Sequence, residues 1–153
     1  MAEPISEQIL AAVKTRLATY ATTNRSTRVG TWQPKDNTLV VNFVSLAVNP
    51  ELSCPGNPPA TAWDMTVEIC GLIKPSDTDT VAVDTYKMRL HAEILKACCD
   101  GISAWWQWGG KAINSAFGSA EEHTDSNGAF AGVKVAMVTT FRTDEDNPFN
   151  LRG

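Results

Sequence analysis

The stretch "NTLVVNFVSLAVNPELSCPGNPPATAWDMTVEICGLIK" (residues 37–74) decides the fold class of this chain. Its opening, 37–48, is apolar on both alternations: Leu39, Val41 and Phe43 fall on one side, Val40, Val44 and Leu46 on the other. That pattern predicts a strand covered on both faces, or covered on one of them by a second chain. Its end, "WDMTVEICGLIK" (63–74), alternates instead. Met65, Val67 and Ile69 point one way, Thr66 and Glu68 the other, as in a strand with one wet face. Between them, "NPELSCPGNPPATA" (49–62) holds four of the eight prolines. Proline cannot donate to a central ladder, so 49–62 reads as a long Pro-rich loop joining two strands.

Helical spacing flanks this pair. Ser6 reads as a helix cap, with Glu7 and Gln8 in the first turn. Ile9, Leu10, Val13, Leu17 and Tyr20 share one helical face, and the helix is expected to end near Tyr20. Downstream, "PSDTDT" (75–80) turns the chain; Asp79 or Thr80 caps a second helix, with Asp84 near its positive end. Tyr86, Leu90, Ile94 and Cys98 give one apolar seam; Met88, Ala92, Leu95 and Cys99 give a second. "CDGI" closes it, with Gly101 left-handed. The last third reads as a strand "GGKAINSAFGSAEE" (109–122), a turn "HTDSNG" (123–128) and a strand "GVKVAMVTTFRT" (132–143). Val133, Val135 and Met137 of the last strand face inward. Antiparallel pairing with 63–74 would put Glu68 on the same face as Lys134 and Arg142. The order of elements predicts an α+β fold: a mostly antiparallel mixed sheet with two helices packed on one face. Residues 1–153 form one domain, ending in a short acidic C-terminal tail.

Composition narrows the function. A chain of 153 residues can bury roughly 70% of its unfolded surface. Its net charge of −4 and pI of about 5.1 speak against a nucleic-acid footprint. Lys14, Arg16, Arg25, Arg28 and Lys35 are scattered and read as solvated surface. "MAEPISEQIL" lacks the basic region of a secretion signal, and no apolar run approaches the ~20 residues of a membrane span. The expectation is a protein made and kept in a cytoplasm, or released by lysis, with no membrane partner. Cys54, Cys70, Cys98 and Cys99 form no CxxC pair and read as buried free thiols.

Catalytic patterns fail one by one. His91 lies mid-helix and His123 at a turn, and no G-x-S-x-G elbow presents a nucleophile. "WGGKA" (108–112) would need a glycine where Trp105 stands and a Ser or Thr where Ala112 stands to close a phosphate loop. Asp144, Glu145 and Asp146 are interrupted by Asn147-Pro148 and lack the glycine and distal glutamate of a calcium loop. A divalent ion held weakly at the terminus, or shared between chains, is the open alternative for them. Adjacent tail carboxylates have no pocket to pull their pKa values apart. The reading is therefore non-enzymatic, with no cofactor and no metal. Two clusters stand out as partner surfaces instead. Trp105, Trp106 and Trp108 crowd "SAWWQWGG", where core filling competes with an interface anchor. "FRTDEDNPF" (141–149) combines Arg142 and the acids with Pro148 and Phe149.

The succession of an N-terminal helix, a strand "VEICGLIK", a helix "DTYKMRLHAEILKAC", then W-x-W-G-G-K-A-I and a closing "FRTDEDNPF" resembles the tail terminator proteins of long-tailed bacteriophages. The resemblance runs over nearly the whole chain; the Pro-rich insert at 49–62 departs from it. It implies a structural protein that forms a ring, a hexamer, capping the tail tube at the head-proximal end of the virion tail. Such a ring ends tube polymerisation and provides the head–tail joining surface, after assembly in the host bacterial cytoplasm. The implied partners are further copies of the chain, the tail tube protein and a connector or neck protein, with DNA only passing through the ring lumen. Trp105, Trp106, Trp108, Arg142, Asp144, Glu145, Asp146, Pro148 and Phe149 would then be interface residues. Leu52, Pro55, Asn57, Pro58 and Pro59 would grip the tube. The alternatives are a head–tail connector or tail-completion protein, and a small metal- or ligand-binding domain.

Overall fold

The computed structural model describes residues 3–25, 38–73, 83–124 and 131–152. In chain order these form α1 (Ile5–Leu17), β1 (Thr22–Arg25), β2 (Thr38–Cys54), β3 (Ala60–Ile73), α2 (Val83–Cys99), a 3-10 turn at Trp105–Gln107, β4 (Asn114–Thr124), β5 (Ala131–Asp144) and β6 (Asn147–Arg152). The sheet order is β1-β2-β3-β5-β4, and β6 also pairs with β5. β1 runs parallel to β2, and the other pairings are antiparallel. Two helices on a mixed, mostly antiparallel sheet make the α+β class.

The β3–β5 ladder holds one unbroken register, from Ala60 opposite Asp144 to Ile73 opposite Ala131. Paired residues share a face and successive residues alternate. Met65, Val67 and Ile69 therefore lie beside Thr139, Met137 and Val135, and all six are fully buried. Leu39 and Val41 of β2, Ile9, Val13 and Leu17 of α1, and Leu90, Ile94 and Cys98 of α2 belong to that same apolar cluster. On the opposite face Lys134 Nζ sits 3.5 Å from Glu68 Oε1, as the expected antiparallel pairing requires.

Several expectations need correction. The segment 49–62 is not a long loop, because β2 runs to Cys54 and β3 begins at Ala60. Pro55, Pro58 and Pro59 fall in the turn between the two strands, and Pro50 is tolerated because the ladder is broken between Asn49 and Cys54. There the Ser53 hydroxyl donates to Asn49 O (2.8 Å) and accepts from Ala62 N (2.9 Å), replacing a backbone partner. The strand over 37–48 is not covered on both faces: β2 is exposed from Phe43 to Val48. The short acidic C-terminal tail is built into the sheet as a strand, β6. Glu145 and Asp146 make the turn of a β5–β6 hairpin. Helix α1 is capped at Pro4, not Ser6, and ends at Leu17, leaving Tyr20 exposed. Proline there costs little, since the first helical N–H groups have no partner anyway. The second seam of α2 is also displaced outward, as Met88 is 65% exposed. The 109–122 strand starts only at Asn114. Asp79, Thr80 and most of the 123–128 turn lie outside the described residues. Gly101 is left-handed (φ 71°), as its position after α2 suggests.

At Gly71 the sheet meets Leu90 of α2 with no room for a side chain. A Cβ there would lie 2.8 Å from Leu39 Cδ2 and 3.0 Å from Leu90 Cδ2. Both leucines are core residues with little room to turn. Gly71→Ala gains at most ~1 kcal/mol of strand propensity, against the ~1–3 kcal/mol typical of overpacking. We expect a net loss of stability, read as a lower urea midpoint at unchanged slope, with a larger loss for Gly71→Val. An unchanged midpoint in both variants would show that Leu39 and Leu90 repack freely.

Candidate assembly surface

The β2–β3 turn and the β5–β6 hairpin form one rim. Arg142 Nε donates to Leu52 O (2.7 Å), Glu145 N to Pro59 O (2.8 Å), and Arg152 Nη1 to Pro58 O (3.2 Å). The Asn57–Pro58 peptide bond in this turn is cis. Leu52, Pro55, Asn57, Pro58 and Pro59, read from sequence as one group, thus stand beside Arg142 and the acids, read as another. A cleft of about 450 Å³ lies at their junction, with Val48, Pro50, Pro59, Trp63 and Glu145 among its walls. Nearby, Trp63 Nε1 donates to Thr143 Oγ1 (3.1 Å), pinning the indole across the ladder.

The three acids divide. Asp144 is committed within its own chain: it accepts from Arg152 Nη1 (2.7 Å) and Asn150 Nδ2 (3.1 Å). Those hydrogen bonds hold its carboxyl below the ordinary value of 3.8. Glu145 and Asp146 are exposed at the turn, and Pro148 and Phe149 are exposed on β6. Among the described residues no cluster of His, Cys, Asp and Glu has the makings of a metal site. Cys70 and Cys98 are buried and their thiols are pushed up to about 12, chiefly by burial, so neither is a ready thiolate at neutral pH. Cys54 departs from the buried-thiol expectation, because it ends β2 in solvent.

The tryptophans divide too. Trp108 is fully buried in the chain's own core, so it is withdrawn as an interface residue. Its Nε1 donates to Ser115 Oγ (3.0 Å), which donates in turn to Trp106 O (2.8 Å) and leaves Thr139 Oγ1 (2.7 Å) to donate to Ser115. Trp105 stacks on Phe117 with ring centroids 5.5 Å apart, while Trp106 meets it edge-on and remains exposed. A turn rather than a strand lets neighbouring indoles part in this way. Ala104 and Trp108 both take left-handed backbone (φ 49° and 48°), a conformation that costs non-glycine residues energy.

Arg16 meets that cost, and sequence reading missed it as mere surface. Its guanidinium carbon lies 4.0 Å from the Trp108 ring centroid, and Nη1 donates to Trp105 O (2.7 Å) and Cys98 O (3.2 Å). The one signal was its place on α1, between the buried Val13 and Leu17.

No family model matches the chain, and no curated protein matches it. Among solved structures it is similar to a chain in the virion of a native gene transfer agent (GTA) particle, with TM-score 0.40 and 10% identity, over 91% of this chain and 92% of that one.

Two outcomes follow from this geometry. Arg16→Met keeps much of the stem but leaves two carbonyls without their charged donor; it should cost about 1–3 kcal/mol in urea unfolding. Trp106→Ala should cost less than ~0.5 kcal/mol; equal losses would remove Arg16 from its bracing role. For Asp144, a depressed folded pKa means that its contribution is complete above the ordinary carboxylate value and is lost as pH falls through the lower folded one. Asp144→Asn should therefore flatten the acid limb of the stability–pH curve. An unaltered acid limb would show that the Arg152 contact carries no linkage.

Proposed function

We propose that the chain is a non-enzymatic virion structural protein of the tail-terminator kind. Copies form a ring, a hexamer, that caps a phage tail tube, ends its polymerisation and presents the surface to which the head joins. The observation that carries this reading is the exposed outer part of β2. Phe43, Val44, Leu46 and Val48 leave an apolar stretch in solvent. An apolar surface of this kind marks a site for a partner. The sequence elements behind the tail-terminator resemblance are built as rigid pieces on the same molecule: the Trp turn is braced by Arg16, and the "FRTDEDNPF" hairpin is tied to the β2–β3 turn.

In this reading the rim of Leu52, Pro55, Asn57, Pro58 and Pro59 faces the last ring of tube subunits, and Glu145, Asp146 and Phe149 lie beside that contact. A turn that is already bonded to its neighbour loses little freedom on docking, which favours a tight grip. The opposite side of the ring is left for the neck. The uncompensated acids would serve register and partner choice more than affinity.

Light scattering on a sizing column should give six times the chain mass. Purified rings should pellet with tail tubes and stop their elongation under electron microscopy. Leu52→Ser with Pro55→Ser should keep the ring mass and lower tube binding at least tenfold. A strictly monomeric protein at high micromolar concentration would overturn the ring. Full tube binding by the double variant would move the tube contact away from this rim.

A further inference from the structure

We infer that the edge of β2 beyond Val41, unpaired among the described residues, receives β6 of a second copy, head to tail, so that the sheet continues from subunit to subunit. The inference rests on the chain being a ring subunit, and it names the contact. β1 pairs with β2 only at Thr38–Val41, so among the described residues nothing pairs with the outer side of β2 beyond Val41. A bulge after Phe43 resets the register, placing Leu46 opposite Met65 and Val48 opposite Trp63. Leu46 and Val48 therefore lie on the face that carries the core, as Phe43 does opposite Val67, yet all three are 40–54% exposed.

The other end of the sheet matches. β6 pairs with β5 over Arg142–Asp144 with a register shift within the pairing; no described strand pairs with its outer side, and α1 packs near it. Leu151 stands opposite Thr143, whose hydroxyl accepts from Trp63 on the core face. Phe149 lies two residues earlier, in the segment 148–150 that a register shift leaves unpaired, and its N–H donates to Asn147 Oδ1 (3.1 Å). Both are uncovered, at 42% and 46% exposure. Each successive neighbour from β2 through β3 and β5 to β6 is antiparallel, so β6 runs opposite to β2. Setting the β6 edge of one copy against the β2 edge of the next then gives an ordinary antiparallel ladder. The core faces stay aligned, which brings Leu151 beside the apolar strip of β2, with Phe149 exposed next to it.

A two-fold contact of β2 with β2 would leave Phe149 and Leu151 in water. The head-to-tail contact covers both strips. Each strip exposes on the order of 200 Å² of apolar surface, well below the ~800 Å² per partner of a stable pairwise interface. Isolated dimers should therefore be weak, and closure, in which every subunit has both edges covered, is favoured.

Cysteine cross-linking tests this in a Cys54→Ser background, since Cys54 is exposed. Under mild oxidation, a mixture of Val48→Cys and Phe149→Cys proteins should form disulfide-linked dimers, whereas neither variant alone should. The double variant should give a ladder ending at the ring. Self-linking by Val48→Cys alone would establish the two-fold contact and overturn the inference. So would a lack of cross-links in variants that light scattering shows to be oligomeric, which would leave the ring reading standing. A monomeric parent protein would remove both. As a second arm, Val48→Lys should melt like the parent by circular dichroism but lose the oligomer. An intact oligomer in that variant also overturns the contact.

Discussion

The unbroken β3–β5 ladder is the constraint on which the rest of the molecule depends. Side chains alternate across a strand, so a slip of one residue would exchange the two faces along its whole length. No bulge interrupts the run from Ala60 opposite Asp144 to Ile73 opposite Ala131, so one register sets both ends of the sheet. At one end it places Ile69 and Val135 in the core cluster with both helices. At the other it brings Trp63 to Thr143 and carries Arg142 to the β2–β3 turn. The irregularities sit outside it, in β2 after Phe43 and after Asn49, and in β4 after Phe117.

The Trp turn is a second, local solution built on that frame. Two left-handed non-glycine residues bend the chain sharply enough to drive Trp108 inward while Trp105 and Trp106 stay near the surface. Three kinds of interaction hold this turn: a cation over the Trp108 ring, a charged donor to two carbonyls, and hydrogen bonds that converge on the Ser115 hydroxyl. Burial lowers the Arg16 pKa, which its nearby carbonyl acceptors and its very high starting value make inconsequential for charge at neutral pH. The turn is thereby a fixed feature of the folded chain, and Trp106 is presented on rigid backbone.

How much of this the sequence disclosed depends on whether the signal was local. The 2-residue period of 63–74 and of 132–143 revealed β3 and β5, their inward residues and the Glu68–Lys134 pair, because alternation is imposed by one buried face. The Leu90, Ile94 and Cys98 seam followed from helical spacing in the same way. The Pro-rich segment misled because proline reports only a missing donor, and a bulged edge strand can do without that donor. The branch from Trp105 to Trp108 was legible as unusual composition only. Which indole enters the core is decided by left-handed backbone and by Arg16, a partner some ninety residues away in sequence. Asp144 was likewise grouped with its neighbours by adjacency, whereas Arg152 and Asn150, brought back by a hairpin, separate it from them.

The sheet divides its labour along the strands. Leu39, Val41, Ile69 and Val135 belong to one buried cluster with residues of α1 and α2. Toward Leu46 and Val48 the same face continues without cover. An edge of that kind invites indiscriminate pairing unless something restrains it. β2 carries such restraints in its own sequence. Pro50 removes a donor and Glu51 places a charge beside it, both within the irregularity between Asn49 and Cys54, and a second irregularity precedes them after Phe43. A flat edge would accept any strand; a bulged one, interrupted by proline, accepts a strand only in a limited register. In the proposed assembly the apolar residues would supply the attraction and the irregularities the selectivity. Phe43, Leu46 and Val48 stand half exposed beside devices that limit promiscuous pairing, the combination that the proposed surface for one specific partner calls for.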